Sequence, residues 1–196
     1  MQKKCIILAS GNGSNALNLI HEFHTQGKAA FDKINISAVV ANVENAPVID
    51  KVRLAAPDIP VFFLPYASVS ERECFENELE NIIRKYSINY IILAGFMKIL
   101  SKEFVSKFPY KIINIHPSLL PAFKGRDAIK KAFEYGVKYT GVTVHYVTPE
   151  IDAGPIIYQE VVKIEEYDTA ESLETKIHKT EHKIYPVALE KILGAN

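Results

Sequence analysis

The chain has 196 residues, 48% hydrophobic and 23% charged, the composition of a globular protein long enough to bury a substantial core. Its 23 Lys and Arg balance 23 Asp and Glu, so it is not a protein held to a polyanion by bulk charge, although a local patch could still bind one phosphate. No apolar run approaches the ~20 residues that span a bilayer, and the N-terminal run is too short for a signal peptide and breaks at Gly11. The expected compartment is the cytoplasm, and neither membrane nor nucleic acid is an expected partner. Cys5 and Cys74 make neither a disulfide framework nor a metal-ligand set. Without an internal repeat, low-complexity tract or long linker, residues 1–196 are expected to form one domain.

Lys4 to Ala9 is a short apolar run with a β-branched centre and predicts a first strand, which breaks at Ser10-Gly11-Asn12-Gly13-Ser14-Asn15. Leu17, Ile20 and Phe23 follow at helical spacing, and the helix is expected to end near Gly27. A strand, a glycine loop and a helix N-terminus together make a good anion site, because free backbone N–H groups and the positive end of the helix dipole converge there. Gly11, Gly13 and Ala16 satisfy the loose dinucleotide fingerprint, but strand two, Ile34 to Ala41, ends in Asn42 where an acid should grip the ribose. The loop also lacks the Lys-Ser or Lys-Thr of a nucleoside-triphosphate site. A monophosphate cradled by Gly13, Ser14 and Asn15 remains, against the plainer alternative of a turn with Ser14 or Asn15 as helix cap.

Ala46 to Ala55 is expected to be helical and Pro60 to Leu64 a short strand. Val69 to Tyr86 carries Phe75, Leu79, Ile82, Ile83 and Tyr86 on one stripe and predicts an amphipathic helix, with Arg72 in a first turn where a cation is electrostatically disfavoured. Arg72 there is either an ordinary surface residue or a partner for a carboxylate ligand. Asn89 to Ala94 predicts a central strand running into Gly95-Phe96-Met97-Lys98-Ile99-Leu100, whose apolar residues could either wall a flat aromatic ligand or pack the core. Ser101 to Phe108 predicts a short helix.

The next run, Lys-Ile-Ile-Asn-Ile-His-Pro from Lys111, holds two polar residues inside a buried strand, where an unpaired polar group costs a few kcal/mol. Residues two apart on a strand point to one face, so Asn114 and His116 emerge side by side, and Pro117 ends the strand. In an open α/β sheet ligands bind at the carboxyl ends of strands. An amide beside an imidazole suits a reaction that develops charge on a carbonyl oxygen; the alternative is a buried pair satisfied by neighbouring backbone.

Beyond a turn at Ala122-Phe123-Lys124-Gly125, Arg126 to Tyr135 predicts a helix. Thr140 to Thr148 alternates, predicting an antiparallel strand near the sheet's end with His145 on one face beside Thr143 and Val147. Asp152 lies in a loop where it could simply form an Asx-turn. Ile156 to Ile164 predicts another strand and Ala170 to Leu193 a final helix. The fold class expected is α/β: one open, mostly parallel, Rossmann-like twisted sheet with helices on both faces.

Five segments in order, Ser10 to Asn15, Leu93 to Met97, Asn114 to Pro121, Asp152 to Ile156 and Glu181 to Pro186, resemble the folate-dependent phosphoribosylglycinamide formyltransferase family over nearly the whole chain. The resemblance implies transfer of a formyl group from 10-formyltetrahydrofolate, as cosubstrate, to the amine of glycinamide ribonucleotide in purine synthesis. It implies Asn114, His116 and Asp152 as a catalytic trio, Gly13, Ser14, Asn15 and Glu181 at the ribonucleotide, and Arg72, Met97, Lys98, Ile99, Leu100 and Asn114 at the folate. Asp152 beside His116 would hold the imidazole protonated by charge attraction and help relay protons. No metal is expected, and the assembly is expected to be a monomer or homodimer. Two departures stand out: Phe123-Lys124-Gly125 replaces a frequent aromatic-Pro-Gly, and Lys98 stands where Arg is frequent. The first is shared with formyltetrahydrofolate hydrolases, the alternative reading, which usually carry an extra N-terminal domain; a chain that opens at strand one favours the transferase. An oxidoreductase using the Gly11 loop and a metal hydrolase with His116, His145 and Asp152 as ligands are further rivals.

Overall fold

The computed structural model describes residues 2–25 and 33–194. Among these residues seven strands, β1 (Lys3–Ala9), β2 (Ile34–Ala41), β3 (Val61–Phe63), β4 (Tyr90–Leu93), β5 (Ile112–His116), β6 (Tyr139–Tyr146) and β7 (Ile156–Lys163), form one sheet in the order β3-β2-β1-β4-β5-β6-β7. The first five run parallel; β6 is antiparallel to β5 and to β7. The expected α/β class is therefore the observed one. Cys5 to Ala9 have no exposed surface, which is why the middle of the sheet reads as a continuous apolar run rather than an alternation.

Helices α1 (Ser14–Ile20), α2 (Pro47–Ala55) and α6 (Ala170–Leu193) cover one face of the sheet, packing Leu19, Val52, Ile177 and Leu189 against Ile7, Val39, Ile113 and Ile115. Helices α3 (Arg72–Tyr86) and α4 (Lys102–Lys107) cover the other, with Phe75, Leu79, Ile83 and Phe104 against Ile6, Val40, Ile91 and Ile112. Helix α5 (Ala128–Tyr135) contributes Ile129 and Phe133 to the first core. Buried Glu76 of α3 accepts both the N–H and the hydroxyl of Ser101 at 2.6 Å, and the same hydroxyl caps α4 by accepting from Phe104 N at 3.0 Å. Helix α6 tolerates Pro186 in its interior because the His182 carbonyl, which loses the missing N–H, takes the Asn18 side-chain amide at 2.8 Å instead.

The first helix differs from expectation. Its regular part stops at Ile20 and continues as one wider π-helical segment, His21–Thr25; the expected end near Gly27 lies outside the described residues. Its cap is Gly13, at φ 74° with no side-chain bond, and not Ser14 or Asn15. A Cβ at Gly13 would sit 2.3 Å from Val48 Cγ2, so both the left-handed backbone and the close approach of α2 require glycine. Most other elements match the sequence reading to within a residue or two at each end; the helix expected from Val69 opens instead with a 3-10 turn, Val69–Glu71, and is α-helical only from Arg72. Among the described residues no helix is long and apolar enough to cross a membrane. Because β1 leads to β2 on one side while β4 lies on the other, a crevice opens at the carboxyl ends of β1 and β4, the place where such sheets bind ligands.

Candidate active site

Strand β5 alternates between the two cores: Ile113 and Ile115 point into one, and Ile112 into the other. Asn114 and His116 continue the Ile112 face past the end of its core. Asn114 sits between Leu93 of β4 and His145 of β6, and His116 faces Thr143. The His145 Nδ1–H donates to the Tyr146 carbonyl at 2.9 Å, so Nε2 is the acceptor and receives one Asn114 amide N–H at 3.2 Å. Burial pushes the His145 pKa down, against the pull of Asp152, which keeps the ring in this neutral form. His116, 5% exposed, donates its Nε2–H to the Phe123 carbonyl at 2.9 Å.

Asp152 comes from the loop between β6 and β7. Its Oδ2 lies 3.4 Å from His116 Nδ1 and accepts the Gly125 N–H at 2.8 Å, while Oδ1 lies 3.7 Å from His145 Nε2. Asp152 adopts φ 46°, a left-handed conformation that Asp and Asn tolerate best among residues with side chains. Gly154 lets the same loop fold against β6, since a Cβ there would meet the Tyr146 carbonyl oxygen at 1.8 Å. The Phe123-Lys124-Gly125 turn thus holds both His116 and Asp152 through the backbone of its first and third residues; neither bond involves Lys124. The segment leading into this turn is stapled to the sheet. Thr143 Oγ1 donates to the Ser118 carbonyl at 2.7 Å and accepts from Leu120 N at 3.1 Å and Gln159 Nε2 at 2.9 Å, filling the hydroxyl's capacity.

Across the crevice, Asn15 is buried, and its Nδ2 donates to Glu181 Oε2 of α6 at 3.0 Å, leaving its Oδ1 without a partner. His178 Nδ1 also donates to Glu181 Oε2, at 2.9 Å, and this bond raises the His178 pKa. The Asn15 side chain is therefore turned towards Glu181, while Gly11 and Asn12 ahead of it are exposed and Gly13 and Ser14 half-buried. The N-terminus of α1 aims its dipole at the same place. Tyr185, fully buried, closes the floor by donating to the carbonyls of Leu93 at 2.9 Å and Ile113 at 3.2 Å.

The segment after β4 forms the third wall. Met97 and Ile99 are 65% and 56% exposed, whereas Leu100 is buried at 7%, so the apolar run divides into an open surface and a core anchor. Phe96 stacks on Phe75 at 5.6 Å beneath it. Lys98 lies over the Tyr66 ring, 5.4 Å from its centroid, and donates to the Ala67 carbonyl at 2.8 Å. Burial raises the Tyr66 pKa, opposed by the positive charge of Arg72. Sequence reasoning missed the roles of Ser10 and Asn42, which bond this wall to its neighbours, and of Tyr185 on α6, which ties β4 to β5; for the first two the available signal was polar residues at the ends of apolar strands.

Two pockets of about 360 Å³ and about 430 Å³, lined by Lys4, Asn35 and Tyr86 and by Lys138, Tyr139 and Tyr167 respectively, contain none of these residues. Among the described residues no group of three His, Cys, Asp or Glu is arranged to hold a metal ion.

A formyl transferase family model matches residues 3–189. The chain is 40% identical over 194 residues to phosphoribosylglycinamide formyltransferase of Bacillus subtilis, covering 99% of this chain and 96% of that one. Its fold superposes with a TM-score of 0.88 and 37% identity on glycinamide ribonucleotide transformylase 1 of Geobacillus kaustophilus, over 99% of this chain and 100% of that one. It also superposes with a TM-score of 0.89 and 28% identity on a formyltetrahydrofolate deformylase of Pseudomonas syringae, over 99% of this chain but 62% of that one. The chain belongs to the formyl transferase family, a class of one-carbon-transfer enzymes. More narrowly, it sits among the phosphoribosylglycinamide formyltransferases of that family.

Proposed function

We propose that this enzyme transfers the formyl group of 10-formyltetrahydrofolate to the amine of glycinamide ribonucleotide by direct attack. The observation that carries the reading is the convergence of Asn114, His116 and Asp152 at the end of a parallel strand. The amine nitrogen bonds to the formyl carbon, and the tetrahedral intermediate carries negative charge on the formyl oxygen. Asn114 uses one N–H on His145 and has a second for that oxygen. Cationic His116 adds charge stabilisation. With Nε2–H held by Phe123, Nδ1 is the His116 atom that exchanges a proton with Asp152. The pair then carries the proton lost by the amine towards the folate nitrogen as the carbon–nitrogen bond to folate breaks.

The ribonucleotide phosphate is assigned to the backbone of Gly13, Ser14 and Asn15 at the N-terminus of α1, supported by the glycine loop geometry. Glu181, held by Asn15 and His178, is assigned to the rest of that substrate. The folate is assigned to Met97, Lys98 and Ile99, with Leu100 anchoring that wall from the core and Arg72 meeting the ligand's carboxylate end. The second reading, formyl release to water, is favoured by the likeness to the Pseudomonas deformylase. Steady-state kinetics test the proposed chemistry: Asn114→Ala and His116→Ala are each expected to lower kcat by about 10²–10³ with smaller changes in either KM. A folded variant with the parent kcat would overturn the assignment.

A further inference from the structure

The two substrate-facing walls are joined by a side-chain chain that starts at Ser10, the last residue before the glycine loop. The Ser10 N–H donates to the Gly95 carbonyl at 3.0 Å, and its hydroxyl accepts the Met97 N–H at 2.8 Å. The same hydroxyl donates to Asn42 Oδ1 at 2.6 Å. Asn42, 3% exposed at the end of β2, donates its amide to the Tyr66 carbonyl at 3.3 Å. Tyr66 in turn donates its hydroxyl to the Ile99 carbonyl at 2.6 Å, returning to the wall that Met97 belongs to. The loop from Gly95 to Leu100 is thus hung at both ends from groups that begin at the ribonucleotide loop. Asn42 occupies the position where a dinucleotide-binding sheet would carry its ribose acid, and here the residue serves the neighbouring wall instead.

We propose that Ser10 is a positioning residue that sets the Met97-to-Ile99 backbone for folate, with Asn42 fixing the direction of its hydroxyl. This rests on the assignment of folate to that wall. Ser10 touches neither reacting atom. Its hydroxyl orients the Met97 peptide, and through Asn42 and Tyr66 the Ile99 peptide, so that the exposed Met97 and Ile99 side chains present one surface to the flat ring. The bond geometry also predicts an ordering of effects. Losing the hydroxyl disturbs folate and leaves the phosphate loop in place, because Gly11 is held separately through its carbonyl by Val48 N at 3.2 Å and Gly13 by contact with Val48.

The test compares Ser10→Ala, Asn42→Ala, their double variant and Ser10→Thr by calorimetric dissociation constants for tetrahydrofolate and for glycinamide ribonucleotide. Ser10→Ala and Asn42→Ala are each expected to weaken tetrahydrofolate about tenfold, the double variant by about the same factor because the two act as one unit, and the ribonucleotide by less than twofold. Ser10→Thr, which keeps the hydroxyl, restores folate binding. Equal weakening of both ligands would reduce Ser10 to a general structural role, and unchanged tetrahydrofolate binding in Ser10→Ala would remove the proposal. Ile99→Ala separates the two layers of the argument: unchanged tetrahydrofolate binding in that variant removes the folate wall itself, whatever Ser10 does.

Discussion

Replacing Asp152 by Asn changes one charge and almost no shape. Asn accepts the left-handed backbone that Asp152 adopts at φ 46°, and its Oδ1 can still take the Gly125 N–H. The fold is therefore expected to persist, with a melting temperature within a few degrees of the parent. The chemistry is not. At 3.4 Å and an effective dielectric of about 20, two unit charges attract by about 5 kcal/mol. The Asp152 side chain is only 11% exposed, so solvent screens little of this. The part realised between ground and transition states, together with the lost proton acceptor, predicts a fall in kcat of about 10²–10⁴. The assay is initial-rate turnover of Asp152→Asn with both substrates saturating, alongside circular dichroism to establish folding. A folded variant that turns over at the parent rate would refute the acid–base reasoning.

Gly13→Ala should lose about 2 kcal/mol or more of stability, since its Cβ meets Val48 and its φ becomes strained; thermal unfolding reads the loss, and the ribonucleotide KM should rise with it. Tyr185→Phe removes a fully buried hydroxyl that two strand carbonyls share and should cost about 1–2 kcal/mol, seen as a lower urea midpoint at unchanged slope. Burial lowers the His145 pKa in the folded chain below its ordinary 6.5, so the folded state binds fewer protons than the unfolded one. That contribution to stability is full above about 6.5 and is lost as pH falls through the lowered value. The melting temperature should drop between pH 7 and pH 5, and less steeply in His145→Gln, with some slope left because burial lowers His182 in the same direction. An equal slope in the variant would show that His145 is not the titrating group.

Much of the site was legible because strand geometry is periodic. Asn114 and His116, two apart before Pro117, had to share a face at a strand end, and they do. The Gly13 loop was legible for a similar reason: a strand, a glycine turn and a helix leave few arrangements of the backbone. Asp152 was not legible from local pattern. Its approach to His116 depends on the course of the β6–β7 loop and on backbone bonds from the Phe123-to-Gly125 turn, which the sequence shows as a turn without its partners, so its role came from family resemblance. Asn15 looked like a free donor, yet it spends its amide on Glu181, a residue far along the chain whose position no local rule gives. Ser10 and Asn42 were overlooked because a hydroxyl and an amide at strand ends usually signal turns, and only the sheet order brings the ends of β1 and β2 together beside the loop that follows β4. The π-helical end of the first helix had no signal in a pattern that Leu17, Ile20 and Phe23 make regular.

The central claim is that the formyl group passes directly to an amine held in the crevice. Release of tetrahydrofolate from 10-formyltetrahydrofolate, followed with and without glycinamide ribonucleotide, tests it most directly. Release that requires the ribonucleotide and matches the formylated product one for one is the predicted result. Release at the same rate without it would contradict the claim and make water the acceptor.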